Sequence, residues 1–342
     1  MGWVDGLITR SRAEDHGSST ELVACHRLTT MEGSESSTGA VALRGPRLVT
    51  AESQWIDIDG PIHYVDYGGP AGATTMVLVH GLMGAHVNWL SLVPELNDEF
   101  RVIALDLVGH GHTTRAGRGT DVGTNQQVLH RFLQEVVDEP AVLVGNSMGG
   151  LISILQAAGE PETVRGLVLI SPALPAVLTE IPSSTVVLNY LPMAVPGLGT
   201  ALLHAQHHTS NAEALIRSLL DTVTADPGRV SEDVVREHVE LAEVRLGMPG
   251  TSAGYQAAAQ STMRIMIQVR DYAATIRSIE APVLLIQGEQ DKVLSPTGAR
   301  KVAANNPHWD FQSLPGVGHA PMLEVPGQVS GSIKAWADKR LN

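Results

Sequence analysis

The stretch Ala141-Val142-Leu143-Val144-Gly145-Asn146-Ser147-Met148-Gly149-Gly150-Leu151-Ile152 decides how this chain is read. Its first four residues form an apolar, β-rich run of the kind expected for a strand buried on both faces. From Leu151 to Ala158 the pattern turns helical. Between the two lies Gly-x-Ser-x-Gly. A reversal from strand to helix in so few residues forces Ser147 into a strained backbone, and Gly145 and Gly149 remove the side chains that would collide. The turn lifts the Ser147 hydroxyl clear of the sheet. It also leaves the Met148 N–H at a helix N-terminus, where it can stabilise an oxyanion. An ordinary Gly-rich turn with an incidental serine fits the pentapeptide equally well, so the flanking sequence has to decide.

Further apolar runs stand at Met76 to Val79, Val102 to Leu105, Leu167 to Ile170 and Val283 to Ile286, each followed by loop residues and a helical stretch. This rhythm predicts an α/β fold with an open parallel sheet. Upstream, Trp55, Ile56 and Ile58 are joined through Asp59-Gly60-Pro61 to Ile62, Tyr64 and Val65, which predicts an antiparallel start. Ligands of such sheets bind beyond the carboxyl ends of the strands, so chemistry is to be sought just after each run. The interval from Pro172 to Pro282 holds no convincing strand and is rich in Ala, Leu, Met and Val at helical spacing. A structureless loop of that length is not expected. We therefore expect a helical cap over residues 175–278, inserted between two parts of an α/β core at 51–174 and 279–342. Residues 1–50 read as a flexible leader, with Met31 as an alternative start.

Three loops complete a constellation around Ser147. His80-Gly81-Leu82-Met83-Gly84 can turn the Leu82 N–H toward the same point as that of Met148. Gly288-Glu289-Gln290-Asp291 places a carboxylate just beyond a strand, with Glu289 as the rival to Asp291. Leu314-Pro315-Gly316-Val317-Gly318-His319 carries an imidazole on a Gly-rich loop after the last expected strand.

On these residues, with Asp106-Leu107-Val108-Gly109-His110-Gly111-His112-Thr113 and with Glu324 and Pro326 behind His319, the sequence resembles the α/β-hydrolase family from about Trp55 to Ala337. The resemblance implies an eight-stranded, mostly parallel sheet with helices on both faces and a helical cap. It implies a Ser147, Asp291, His319 triad, an oxyanion hole from the backbone N–H groups of Leu82 and Met148, and no metal or organic cofactor. Asp106 and His110 are expected to be structural. A Ser nucleophile sets the chain apart from the Asp-dependent haloalkane dehalogenases and epoxide hydrolases of this fold. The run Asn146-Ser147-Met148-Gly149-Gly150 is similar to that of the meta-cleavage product hydrolases, which break C–C bonds. Leu82-Met83-Gly84 and Ala320 depart from the Gly-Pro-Gly-like stretch and the Trp those enzymes usually carry. Hydrolysis of carboxylic esters therefore ranks first, C–C hydrolysis second and a cofactor-free perhydrolase activity after them. A silent ligand receptor is the reading from another class. Substrate contacts are expected from Asn146, Leu178, Met193 and Met263, with Leu191, Val195 and Leu202 as further roof candidates.

Composition narrows the partners. Among 342 residues, 23 Lys plus Arg stand against 36 Asp plus Glu, a net charge of -13 that repels phosphate backbones and anionic lipid surfaces. With 43% hydrophobic and 17% charged residues the chain can build a core. Cys25 stands alone, so no internal disulfide forms, and a cytoplasmic setting is expected. No run of about 18 apolar residues predicts a membrane span. His204, His207 and His208 are read as a solvated helix end and not as a metal site. The expected partner is a small apolar ester or related carbonyl compound, with an oligomer left open.

Overall fold

The computed structural model of the protein describes residues 51, 53–176, 195, 197, 199–201 and 211–341. The leader, Leu178, Leu191, Met193, Leu202 and the three cap histidines lie outside them.

Eight strands form one sheet: β1 Ser53–Asp57, β2 Pro61–Asp66, β3 Thr75–Val79, β4 Arg101–Leu105, β5 Ala141–Asn146, β6 Val164–Ile170, β7 Val283–Gly288 and β8 Asp310–Leu314. Their spatial order is β1-β2-β4-β3-β5-β6-β7-β8. The pairs β1–β2 and β2–β4 are antiparallel and the remaining pairs are parallel. This is the α/β-hydrolase fold. Every residue of β3, β5 and β7 is buried, which is why these strands read as continuous apolar runs and not as alternations.

Successive side chains leave opposite faces of a strand, so each strand feeds two cores. On one face Met76, Leu78, Val142, Val144 and Val168 join Ile333 and Trp336, which belong to the C-terminal helix Pro326–Arg340. On the other, Val77, Val79, Leu143, Leu167 and Leu285 join Leu129 and Phe132 of α1 (Val122–Phe132) and Leu151 and Ile152 of α2 (Met148–Gly159). Helices thus cover both faces.

Between β6 and β7 the described residues include the α-helices α3 Ala212–Val223, α4 Glu232–Leu246, α5 Thr251–Ile267 and α6 Val269–Arg277. Asn211 and Ser231 cap the first two, each accepting a backbone N–H from its helix's first turn. These helices do not form one separate layer. Tyr272 and Ile276 of α6 are buried against the sheet, and the Tyr272 hydroxyl donates to the Ala173 carbonyl at 2.7 Å. That helix is the crossover cover for β7, which a parallel strand buried on both faces requires. Among the described residues no helix is long and apolar enough to cross a membrane.

Strand order reverses between β3 and β5, since β4 lies outside β3 on one side and β5 follows on the other. A crevice opens at the carboxyl ends of such neighbours. The loops that leave it there begin with His80 and Ser147.

Candidate active site

Ser147 joins β5 to α2 with φ 53° and ψ −119°, a left-handed backbone that a side chain rarely adopts. Three backbone hydrogen bonds hold it. Its N–H donates to the Ile170 carbonyl at 3.2 Å, and its carbonyl accepts from Leu151 at 3.2 Å and Ala173 at 2.9 Å. The glycines permit close approach: a Cβ on Gly149 would stand 2.0 Å from the Val79 carbonyl oxygen, and one on Gly145 would stand 2.7 Å from that of Gly149.

The His80–Gly84 loop packs directly on this elbow, so tightly that a Cβ on Gly81 would lie 2.9 Å from the Ser147 Cβ. His80 fixes it. Its Nε2 accepts from the Leu107 N–H at 3.0 Å, which leaves Nδ1–H to donate to the Gly81 carbonyl at 2.8 Å. Burial lowers the pKa of His80 to about 4, so the ring stays neutral. The N–H of Met148 is the first of its helix and has no intrahelical acceptor. Among the described residues no backbone carbonyl takes up either that N–H or the Leu82 N–H.

Asp291 and His319 meet across two further loops. The Asp291 Oδ2 lies 2.8 Å from His319 Nδ1 and accepts from Gln287 Nε2 at 2.8 Å, while its Oδ1 accepts from the Val293 and Leu294 N–H groups, each at 2.8 Å. Four donors converge on one buried carboxyl group. A carboxylate oxygen only accepts, so this geometry suits a hydrogen on His319 Nδ1 facing Asp291 and a lone pair on Nε2. The two loops touch because a glycine ends β7: a Cβ on Gly288 would meet the Gly318 carbonyl oxygen at 2.0 Å. Buried Glu324 anchors the histidine loop by accepting from Gly318 at 2.6 Å, Ala225 at 3.0 Å and Asp226 at 3.2 Å. Glu289 instead receives the Ser313 hydroxyl at 2.8 Å and faces Arg300, so Asp291 alone of the two carboxylates reaches the imidazole.

Ser147, His319 and Leu82 border one cavity of about 240 Å³, which residues of α3, α4 and α5 also line. Asn146 borders it too, but its amide donates to the Ile170 carbonyl at 2.9 Å and the His319 carbonyl at 3.4 Å, bracing strand end and histidine loop. Met263 lies one layer back, packed with Tyr255 and Ala259 beside Leu82 and Met83. Val195 is exposed. Sequence reasoning did not reach Gln287, His238 or Arg245. Gln287 stands four residues before Asp291 at the end of a strand, and the other two sit on the helical segment whose facing no local pattern reveals.

Behind the site, fully buried Asp106 accepts from the backbone of His86 at 2.7 Å and His112 at 2.9 Å and lies 2.7 Å from His63 Nδ1. Burial opposes its ionisation, yet His86 and His63 beside it hold its pKa well below the ordinary value. Among the described residues His63, His86 and Asp106 are close enough together to hold a cation, but these hydrogen bonds already occupy both carboxylate oxygens. Asp106 thus organises the loop after β4, as expected.

Buried neutral histidines make stability sensitive to acid. Burial lowers the pKa of His80 to about 4, of His110 to about 3 and of His238 to about 4, whereas each takes up a proton near 6.5 when unfolded. Below about pH 6.5 the unfolded chain therefore binds protons the native one refuses, and stability falls by up to about 1.4 kcal/mol per pH unit per histidine until about pH 4. Native Asp106 stays ionised throughout that window, so it adds to the loss only toward pH 4, where the unfolded carboxyl begins to take up a proton. The urea midpoint should be level from pH 7 to 8 and drop steeply from 6.5 to 4.5. A level midpoint across that range would contradict the assignment.

The profile of the group described as Alpha/beta hydrolase family matches residues 76–331. The dihydrolipoyllysine-residue acetyltransferase component of the acetoin cleaving system of Pseudomonas putida is 27% identical over 90% of this chain and 78% of that protein. The pimeloyl-[acyl-carrier protein] methyl ester esterase of Edwardsiella ictaluri is 28% identical over 79% of this chain and 95% of that protein. The 2-hydroxy-6-oxononadienedioate/2-hydroxy-6-oxononatrienedioate hydrolase of Burkholderia vietnamiensis is 27% identical over 79% of this chain and 90% of that protein. With the strand order, the elbow and this match over most of its length, the chain belongs to the alpha/beta hydrolase family.

Proposed function

We propose that this protein hydrolyses small to medium carboxylic esters with an apolar acyl half through an acyl-enzyme on Ser147. The observation that carries the reading is the shared cavity: Ser147 and His319 both border it, and His319 is held at 2.8 Å by Asp291. In this cycle His319 Nε2 takes the Ser147 proton as Oγ attacks the ester carbon. The oxyanion is received by the Leu82 and Met148 N–H groups. The proton then passes from His319 to the leaving alcohol, and water repeats the sequence to release the acid. The cycle calls on no metal or organic cofactor. The α3 and α4 helices act as the roof of the pocket, and the relative named as a methyl ester esterase supports the ester class. The lone Cys25 suits a reducing, cytoplasmic setting.

The C–C reading keeps one supporting fact, the relative named as an oxononadienedioate hydrolase. Two measurements separate the readings. A fluorophosphonate probe should label Ser147, and kcat/KM should be measured across a graded acyl series beside one vinylogous diketone. Ester turnover with diketone untouched is the expected result. Diketone cleavage without ester turnover would transfer the assignment to C–C hydrolysis, and an unlabelled Ser147 would remove both.

A further inference from the structure

The loop that carries His319 is tied to the helical insertion as well as to the sheet. The backbone N–H groups on either side of the histidine both lead to the end of α3. The Ala320 N–H donates to the carbonyl of Val223, the last residue of that helix, at 2.9 Å. The Gly318 N–H donates to Glu324 Oε1 at 2.6 Å, and the other oxygen of the same side chain accepts from Ala225 at 3.0 Å and Asp226 at 3.2 Å. One buried carboxyl group thus divides its two oxygens between the histidine loop and the chain leaving α3. Arg229 adds a strap at the surface, donating to the Gly316 carbonyl at 2.9 Å.

Close packing accompanies these bonds. A Cβ on Gly318 would stand 2.7 Å from the Ala225 nitrogen. Ile216 and Leu220 of α3 share one apolar core with Val317, Ala320 and Leu323. The rest of the fold holds the same loop by other atoms: the Val317 carbonyl accepts from Gln290 at 2.9 Å, the His319 carbonyl from Asn146 at 3.4 Å, and Asp291 faces the imidazole. The sheet side therefore grips carbonyls and the imidazole, and the end of α3 grips the flanking N–H groups. A displacement of α3 must break its bonds or carry the backbone of His319 with it.

That helix is also a wall of the cavity. Leu215, Ile216, Leu219, Thr222 and Val223 border it together with Ser147 and His319. A group bound there touches the helix whose end holds the base. The acyl half of an ester stays on Ser147 through both chemical steps, so its contacts with α3 act on acylation and deacylation alike.

We propose that Glu324 is a positioning residue through which an acyl chain resting on α3 sets His319 over Ser147, so that chain length is expressed in kcat and not in KM alone. The inference rests on the ester-hydrolase reading above. Binding energy from a remote part of the substrate then serves the orientation of the reacting groups.

The test measures kcat and KM separately for p-nitrophenyl esters from acetate to octanoate, on the full-length protein and on Glu324→Gln. An amide has one acceptor oxygen, so the variant serves the Gly318 side or the Ala225 side but not both. In the parent, kcat should rise by about tenfold or more from acetate to the best chain. In Glu324→Gln that ratio should fall to within about threefold of one, because the chain no longer reaches the base. A role in folding alone would lower kcat for every chain by the same factor. A parent kcat that is flat across the series, or a ratio preserved in Glu324→Gln, overturns the proposal and leaves the ester reading standing. Arg229→Ala cuts the surface strap and should lower the same ratio by about twofold to threefold. Should Glu324→Gln not fold, Arg229→Ala decides, and a ratio equal to the parent's overturns the proposal. If no ester is turned over and Ser147 resists the fluorophosphonate, both readings fall together.

Discussion

Ser147→Ala and His319→Ala are each expected to lower kcat/KM on the best ester by about 10^4- to 10^6-fold, because nucleophile and base act as a unit. The double variant should be scarcely worse than either single one, for the same reason. The fold should survive both changes. Ser147 is held through its backbone to Ile170, Leu151 and Ala173, and those bonds persist with alanine. The His319 loop is anchored by Glu324 through the Gly318 N–H and not by the imidazole itself. Steady-state kinetics together with thermal unfolding check this. More than a few per cent of the original activity in Ser147→Ala, with its unfolding transition intact, would mean that another group is the nucleophile.

Asp291→Asn should cost about 10^3- to 10^4-fold in kcat/KM, through the tautomer of the histidine. The four donors around Asp291 leave no place where an amide nitrogen is welcome. Turning the Asn oxygen toward His319 would set its NH2 against the Val293 and Leu294 N–H groups, which are fixed in the backbone. The opposite orientation keeps those two bonds and presents the NH2 to His319 Nδ1. Gln287 can rotate its own amide to accommodate the change, but the imidazole must then carry its proton on Nε2. A ring protonated there cannot take the Ser147 proton. Loss of less than about tenfold, measured on the same ester series, would show that Asp291 does not orient the base. Glu289→Gln serves as the control and should leave kcat/KM within about threefold, since Glu289 is engaged by Ser313 and Arg300 at the surface.

The strands, their order of appearance and the elbow at Ser147 were legible in the sequence because each rests on local causes. A buried parallel strand needs an unbroken apolar run, and a strand-to-helix reversal needs Gly145 and Gly149. The rule that ligands meet the carboxyl ends of such strands then marks Leu82, Met148, Asp291 and His319 as candidates by position alone. Contacts between residues far apart in the chain have no such local sign. That Gln287 completes the donors around Asp291, that Glu324 anchors the histidine loop to Ala225, and that Gly288 lets β7 touch Gly318 depend on how separate loops pack. The helical segment shows the limit most clearly. Its composition predicts helices, but apolar periodicity identifies a buried face without saying what covers it. Only the packing sends Tyr272 and Ile276 of α6 into a core shared with the sheet, sets Met263 against Tyr255 and Ala259, and brings His238 and Arg245 to the border of the cavity that Ser147 also lines.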